Sequence, residues 1–286
     1  MLIVVYVIVY VFVFAIGAVI GSFLNVLIYR LPLGLDYVKG FSFCPACKHR
    51  LYPLDLVPIF SYLFLKRKCR YCGEPISPRY MTNEIIGGAL ACASWTAFMP
   101  PFGFLADTLP AGGALLLPIP NAEVILPLAS TAIYFVVLCC LLTLAWIDHD
   151  TMEIPDRFHV IIAALGALAI FFGPDIGLKS HLIGIGVASV PLFIIMIVLL
   201  FARGVEAFGF GDIKLMAAAG FFLGWQHTLV ALFLGIIIGG AYGVYLLATR
   251  KKGGQEHFAF GPALCAGIGI AMFAADPILN WYLGFL

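Results

Sequence analysis

The sequence predicts an all-α membrane protein that crosses the bilayer several times. Of its 286 residues, 63% are hydrophobic and only 11% are charged, and the mean hydropathy is +1.07. Soluble globular domains are only about half apolar and carry about 25% charged residues, so this composition excludes them. The formal net charge of +1 provides no overall field that would attract nucleic acid. Membrane lipid is therefore an expected partner, and nucleic acid is not.

Eight apolar runs are candidate membrane spans, because a hydrocarbon core about 30 Å thick needs about 20 helical residues. They lie at residues 2–28, 84–99, 124–147, 158–172, 181–201, 213–225, 229–248 and 262–285. The first run is too long for a signal-peptide core and has no basic leader, so we expect it to be a retained span. No internal repeat is apparent.

The positive charges predict the orientation of these spans, because loops that stay in the cytoplasm keep Lys and Arg. If eight spans alternate, fifteen of the sixteen basic residues fall on one side, and only Lys179 falls on the other. The segment 100–123 contains neither Lys nor Arg, as expected of an external loop. We therefore predict an external amino terminus.

The loop at residues 31–83 is expected to be a small cytoplasmic domain that folds around zinc. Two C-x2-C pairs lie 21 residues apart in it, at Cys44, Cys47, Cys69 and Cys72. This pattern is typical of structural zinc sites, and zinc would fold a loop that is too small for its own core. Two disulfides are the alternative, but disulfides rarely persist in a reducing cytoplasm. The remaining cysteines lie in apolar runs and are expected to be packing residues: Cys92, Cys139, Cys140 and Cys265.

Two aspartates at the ends of apolar runs are the candidate catalytic groups. Asp212 follows Gly209 and Gly211, whose missing Cβ atoms would let an extended substrate approach, and Asp148 ends an earlier run. Two spans separate the aspartates, so both should lie at the same cytoplasmic surface. An ionisable group at the bilayer is costly and needs a partner. Two carboxylates that share a water are the minimal machinery of an aspartic protease.

The loop after Asp148 offers further polar residues. Asp150 and Glu153 are typical of solvated loop charges, and a lone His149 is more often a surface residue than a base. Asp156 opens the next span, where it could cap a helix or take part in chemistry. The residues alone therefore leave both Asp148 and Asp156 open as the partner of Asp212. A transporter that relays cations through these carboxylates is also open, although transport sites lie nearer the bilayer midplane.

Several ordered motifs extend along nearly the whole chain. They lie at residues 21–32, in the paired C-x2-C elements, and at residues 78–84, 147–156 and 209–215. Together they resemble the bacterial type IV prepilin peptidases, which are bifunctional leader peptidases and N-methyltransferases of the GxGD aspartic protease class. The family's two catalytic aspartates fall on Asp148 and Asp212.

The resemblance implies two activities at the bacterial cytoplasmic membrane. The first cleaves the leader of prepilins and pseudopilins after a glycine, at the cytoplasmic face. The second methylates the new amino terminus, usually phenylalanine, with S-adenosylmethionine. The motif residues that it implies for methylation are Gly21, Ser22, Asn25, Arg30, Pro32, Arg79 and Glu84. The chain has no glycine-rich Rossmann fingerprint that would locate the methyl donor.

We therefore expect two functional regions. Residues 1–99 would contain two spans, the methylation motifs and the zinc domain at 31–83, and residues 124–286 would form the peptidase. In the peptidase, the ionised aspartate would take a proton from water and the protonated one would donate to the leaving group. The alternatives are a peptidase without methyltransferase activity and the transporter. The sequence predicts no particular oligomeric state.

Overall fold

A computed structural model describes residues 2–99, 122–174, 176–204, 209–249 and 259–285, and its regular secondary structure in these ranges is helical. The helices are α1 Leu2–Arg30, α2 Phe60–Phe64, α3 Pro78–Phe98, α4 Ala122–Thr151, α5 Asp156–Phe172, α6 Leu178–Arg203, α7 Phe210–Leu223, α8 Trp225–Ala248 and α9 Gly261–Leu283. The chain forms two compact units, Met1–Phe135 and Val136–Leu286. The prediction of an all-α fold is confirmed.

The predicted count of eight membrane spans is not confirmed. A helix lies at each predicted position, but among the described residues only five are long and apolar enough to cross a bilayer: Ile3–Arg30, Ile125–Thr151, Leu178–Ala202, Trp225–Ala248 and Gly261–Leu283. Helices α5 and α7, with 17 and 14 residues, are shorter than the roughly 20 residues that a span needs. The first turns of α3 carry several polar residues. The predicted external loop at 100–123, apart from the start of α4, and the basic residues 250–252 lie outside the described residues.

In the first unit, α1 and α3 pack so closely that only glycine fits at the contact. A Cβ atom on Gly17 would collide with the Gly87 backbone, and one on Gly21 would collide with the Asn83 backbone. The two helices are also joined by a buried side-chain hydrogen bond, in which Asn83 Nδ2 donates to Asn25 Oδ1 at 2.7 Å. These contacts fix the register of α1 against α3.

In the second unit, α7 is the central helix. It contacts α5, α6, α8 and α9, and nine of its 14 residues are buried. The backbones of Gly184 in α6 and Gly220 in α7 touch because neither residue has a Cβ atom. Gly224 ends α7 with a φ of 78°, which favours glycine, and the chain then turns into α8. Neighbouring helices therefore surround α7, and its first turn carries Asp212.

Candidate active site and metal centre

Asp148 lies in the last turn of α4 and is only 6% exposed. The backbone N–H of Gly261, the first residue of α9, donates to its Oδ2 atom at 3.0 Å. Helix α4 ends three residues after Asp148, at Thr151. The carboxylate is therefore held inside the helical core of the second unit and not in the following loop.

Asp212 lies in the first turn of α7 and is also 6% exposed. Its carboxylate interacts electrostatically with that of Asp148. Both carboxylates also interact electrostatically with the buried thiol of Cys265 in α9. Within the described part of the chain, Asp212 Oδ1 is buried without a hydrogen-bond partner. The structure thus brings the two predicted aspartates together in one buried acidic site, in which one carboxylate oxygen has no hydrogen-bond partner among the described residues.

Gly261 is a site residue that the sequence does not reveal. A Cβ atom at this position would lie 2.9 Å from the Asp148 Cγ atom and closer still to Oδ2, so any side chain would displace the carboxylate. The only sequence signal is a Gly-Pro pair that opens the last helix, and such a pair by itself indicates a helix start. The contact joins residues 113 positions apart in the chain.

We expect Gly261→Ala to lower kcat for peptide cleavage by about 100-fold, since a displacement of about 1 Å at a reacting group can cost that much. The matched control is Gly240→Ala in α8, where an added Cβ atom meets nothing within 4 Å. The measurement is cleavage of a saturating prepilin peptide by both variants at equal helical content. Equal activity of the two variants would show that the Gly261 contact does not position Asp148.

Asp156 does not cap a helix, so that interpretation of the residue is wrong. Pro155 is the N-cap of α5, and Asp156 is its first helical residue, with a side chain that is 70% exposed. Its Oδ1 atom accepts a hydrogen bond from Lys214 Nζ at 2.7 Å, which holds the pKa of Asp156 below its usual value, and lies 3.5 Å from His159 Nδ1. The Asp156–Lys214 pair joins the start of α5 to the first turns of α7. Lys214 lies two residues after Asp212 in the sequence.

The other polar residues near Asp148 lie at the surface. His149, Asp150 and Glu153 are exposed, which agrees with their prediction as surface residues. A Cβ atom on Gly211 would lie 3.0 Å from the Ile154 Cβ atom. The absence of a Cβ atom at Gly211 therefore makes room for the loop after α4. This packing explains the glycine without a contact to substrate.

The four predicted metal-ligating cysteines come together in the first unit. The sulfur atoms of Cys44, Cys47, Cys69 and Cys72 all lie within 4.8 Å of one another, and the cysteines are free thiols. The Cys44 N–H donates to the His49 carbonyl at 3.0 Å, and the Cys69 N–H donates to the Glu74 carbonyl at 2.8 Å. The two pairs thus form the same knuckle twice. This structural repeat is not visible in the sequence, because residues 44–49 and 69–74 have only their cysteines in common.

The cysteine cluster fits a tetrahedral metal ion. Sulfur ligands about 2.3 Å from zinc lie about 3.8 Å apart in a tetrahedron, and the Cys44 and Cys72 Sγ atoms are 4.0 Å apart. Hydrogen bonds from the Cys72 backbone N–H, chiefly, and from the Tyr71 backbone N–H outweigh the effect of burial and lower the pKa of the Cys69 thiol to about 7. This favours the thiolate, which is the form that binds metals. The cluster can therefore hold a metal ion.

We expect one metal ion per purified chain, because four convergent thiols form a complete ligand set. The Cys69→Ser variant should lose the ion, whereas Cys92→Ser should keep it, since Cys92 lies in α3 and donates to the Tyr10 carbonyl. Elemental analysis of protein purified without chelators measures the ion, and circular dichroism monitors the helices, which should remain. Metal-free wild-type protein, or a disulfide between these cysteines, would refute the metal site.

A cavity of about 620 Å³ lies beside the cysteine cluster in the first unit. Four residues that the resemblance implies in methylation line it: Ser22, Asn25, Arg30 and Glu84. Cys44 and Cys69 belong to the same wall. Among the described residues, Gly21, Pro32 and Arg79 are not part of the lining, and the close packing of α1 on α3 explains Gly21. The volume falls within the range of about 300–1,000 Å³ that is usual for small-molecule sites.

Glu84 lines this cavity and accepts hydrogen bonds at both of its carboxylate oxygens. Its Oε1 atom accepts from Ser22 Oγ at 2.8 Å, and its Oε2 atom accepts from the Ile59 backbone N–H at 2.6 Å. Ile59 has a φ of 64°, and the Phe60 N–H donates to the Pro58 carbonyl at 2.6 Å, which makes a strained three-residue turn. A β-branched residue keeps this conformation only when its surroundings impose it. Glu84, which lies in α3, therefore links α3 to α1 and to the turn before α2.

Arg30 also has structural partners. Its guanidinium donates to the Asp36 carbonyl at 2.9 Å and to the Phe41 carbonyl at 3.0 Å. These bonds fold the chain after α1 back towards the helix end. Arg30 thus lines the cavity and also fixes the position of the backbone at Asp36 and Phe41.

Two family models match the chain. The model described as Bacterial Peptidase A24 N-terminal domain matches residues 15–98, which contain the cysteine cluster and the cavity. The model described as Type IV leader peptidase family matches residues 135–244, which contain Asp148 and Asp212.

Curated relatives are similar over most of the chain. A prepilin leader peptidase/N-methyltransferase from Aeromonas hydrophila is 31% identical over 288 residues, which cover 92% of this chain and 90% of the relative. Proteins of the same name from Bacillus subtilis (strain 168) and Klebsiella pneumoniae are 31% and 34% identical, covering 93% and 76% of this chain and 95% and 86% of the relatives. No solved structure matches. With its apolar helices and these two matched regions, the chain is an integral membrane protein that belongs to the type IV leader peptidase family.

Proposed function

We propose that this protein cleaves the leader of type IV prepilins and pseudopilins after a glycine, and then methylates the new amino terminus. The observation that carries the proposal is the pair of buried carboxylates, Asp148 and Asp212, in the region similar to leader peptidases. The name of the relatives, prepilin leader peptidase/N-methyltransferase, supports both activities.

The proposed cleavage uses the aspartate pair as acid and base. Two like charges in a buried site repel each other, so the pair favours a state with one proton between the two carboxylates. The ionised carboxylate accepts a proton from water as the water attacks the glycyl carbonyl, and the protonated one donates to the leaving amine. The Gly261 N–H fixes one oxygen of Asp148, whereas Oδ1 of Asp212 has no hydrogen-bond partner among the described residues. The pair titrates as a unit, and its acid and base roles belong to the pair.

We place the active site at the cytoplasmic face of the bacterial inner membrane, with the amino terminus outside. The end of α4 and the starts of α7 and α9 lie together at the acidic site. The concentration of Lys and Arg in the loop after α1 supports this orientation.

For methylation, we propose that residues 1–99 bind S-adenosylmethionine in the 620 Å³ cavity, and that residues 124–286 form the peptidase. S-adenosylmethionine supplies the methyl group when bound. Ser22, Asn25 and Glu84 offer the polar groups that would hold it. A structural zinc ion at the cysteine cluster would fix the cavity wall, because Cys44 and Cys69 form part of that wall.

Two alternatives are less well supported. A transporter would use the same carboxylates to relay cations, but the relatives are named for peptidase and methyltransferase activities. A peptidase without methyltransferase activity would not need the cavity, whose lining includes four of the motif residues.

The test is an assay of the purified full chain with a prepilin peptide and labelled S-adenosylmethionine. We expect cleavage after the glycine, followed by label on the shortened peptide alone. Cleavage without label would refute the methyltransferase half, and an uncut peptide would refute the peptidase half.

A further inference from the structure

Helix α2 presents an exposed apolar face. Phe60, Leu63 and Phe64 are 60%, 56% and 80% exposed, and the two phenylalanine rings stack with their centroids 6.4 Å apart. Three exposed basic residues follow directly: Lys66, Arg67 and Lys68. Apolar side chains beside a basic run are typical of elements that lie in the membrane interface.

The fold holds this face at the level where α1 leaves the membrane. Ile59, the residue before α2, donates to Glu84, which also accepts from Ser22 in α1. At 1.5 Å per residue, Ser22 lies about 12 Å before Arg30, where the candidate span Ile3–Arg30 ends. The 28 residues of this span are about 42 Å long, which exceeds the roughly 30 Å thickness of the hydrocarbon core, so the ends of the span extend beyond the hydrocarbon. Helix α2 is therefore tied close to the level where α1 leaves the hydrocarbon.

Backbone hydrogen bonds hold the basic run against the end of α2, and its positive charges are available to bind anions. The Lys66 N–H donates to the Leu63 carbonyl at 3.1 Å, and the Arg67 N–H donates to the Tyr62 carbonyl at 3.0 Å. None of the three basic side chains forms a salt bridge within the described part of the chain, whereas nearby Arg70 pairs with Asp55 at 2.8 Å. Lipid phosphates at the same level match this charge.

The other side of α2 forms part of the cavity wall. Ser61 and Tyr62, together with Leu65 directly after the helix, line the cavity that also contains Glu84. Because one short helix forms both surfaces, a partner that fixes the exposed face of α2 also fixes one wall of the cavity.

We propose that residues 60–68 form an interfacial anchor, which inserts Phe60, Leu63 and Phe64 into the bilayer and binds anionic lipid headgroups through its three basic residues. Because the anchor forms part of the cavity wall, methyl transfer depends on anionic lipid. This dependence rests on the proposed methylation in the cavity, whereas the insertion itself does not.

The first experiment measures insertion in the full chain, without reference to activity. In vesicles of brominated phosphatidylcholine and phosphatidylglycerol, Phe64→Trp should show an additional fluorescence component, relative to wild type, that the bromines quench. The matched control is Tyr52→Trp, an exposed ring of the same domain outside the anchor, which should not be quenched. Equal quenching of both, or of neither, would overturn the proposal. So would a signal from the Phe64→Trp variant that responds only to added prepilin peptide, because the face would then bind substrate.

The second experiment measures the lipid dependence of methyl transfer to a peptide that already lacks its leader. Phosphatidylglycerol should stimulate transfer by the wild type, and Lys66→Gln/Lys68→Gln should lose roughly fivefold of that stimulation per charge. Lys39→Gln/Lys179→Gln removes the same charge from exposed positions outside the anchor and the cavity lining and should keep the stimulation. Transfer that is equal in all vesicles would overturn the lipid dependence. Absence of transfer under every condition would instead refute the proposed methyltransferase function and leave the fluorescence result standing.

Discussion

Asp148→Asn and Asp212→Asn should each lower kcat for prepilin cleavage by at least about 1,000-fold, within the range expected for loss of general acid–base catalysis. Asparagine is nearly isosteric with aspartate, but its amide can neither accept the proton of the attacking water nor share a proton with the second carboxylate. In the Asp148→Asn variant, the carbonyl oxygen of the new side chain can still accept the hydrogen bond from Gly261, so the fold around the site should persist. Mass spectrometry of a cleaved prepilin peptide measures the rate, and circular dichroism and gel filtration measure the fold.

The controls for this prediction are acidic residues of the same region that lie at the surface. Asp150→Asn and Glu153→Gln remove a carboxylate from exposed positions and should keep near-wild-type turnover. If Asp148→Asn or Asp212→Asn kept such turnover in a folded protein, the assignment of that aspartate as a catalytic group would be wrong.

Much of this site could be predicted from sequence because its main features are local. A carboxylate beside a long apolar run is costly to bury, and this cost identifies Asp148, at the end of one run, and Asp212, at the start of another, as candidate functional residues. The C-x2-C pairs are similarly visible, because each knuckle places two ligands within one short turn. The helices other than α2 follow from the apolar runs, with ends that shift by a few residues.

The features that the sequence does not predict depend on contacts between distant segments. The role of Gly261 arises from a backbone N–H that reaches Asp148 in another helix, and no periodicity records such a contact. Asp156 pairs with Lys214 across two helices, which a local capping rule cannot anticipate. Helix α7 is as apolar as a membrane span, but its turn at Gly224 stops it after 14 residues. Its apolar surface is buried by neighbouring helices and not by lipid.

The two proposed activities should be separable, because their residues lie in different compact units. The cavity residues, including Ser22 and Glu84, belong to Met1–Phe135, and the aspartate pair belongs to Val136–Leu286. Methylation needs a free amine, which in an intact prepilin is still part of a peptide bond. The Asp212→Asn enzyme should therefore fail to methylate intact prepilin.

The same Asp212→Asn enzyme should methylate a peptide that begins at the new amino terminus, at a rate within about twofold of wild type, since methyl transfer from a sulfonium donor needs no protease carboxylate. Conversely, Glu84→Gln should lower methylation by about tenfold or more and keep cleavage. The neutral amide can still bond both Ser22 and Ile59, because a serine hydroxyl also accepts, but these bonds are weaker than those of a carboxylate and hold the strained turn at the cavity wall less firmly. Transfer of label from S-adenosylmethionine to trimmed and intact peptides measures both effects, with Glu153→Gln as a matched charge control. A folded Asp212→Asn enzyme that transfers no label to the trimmed peptide would mean that the aspartates serve both reactions and that the two activities share one site.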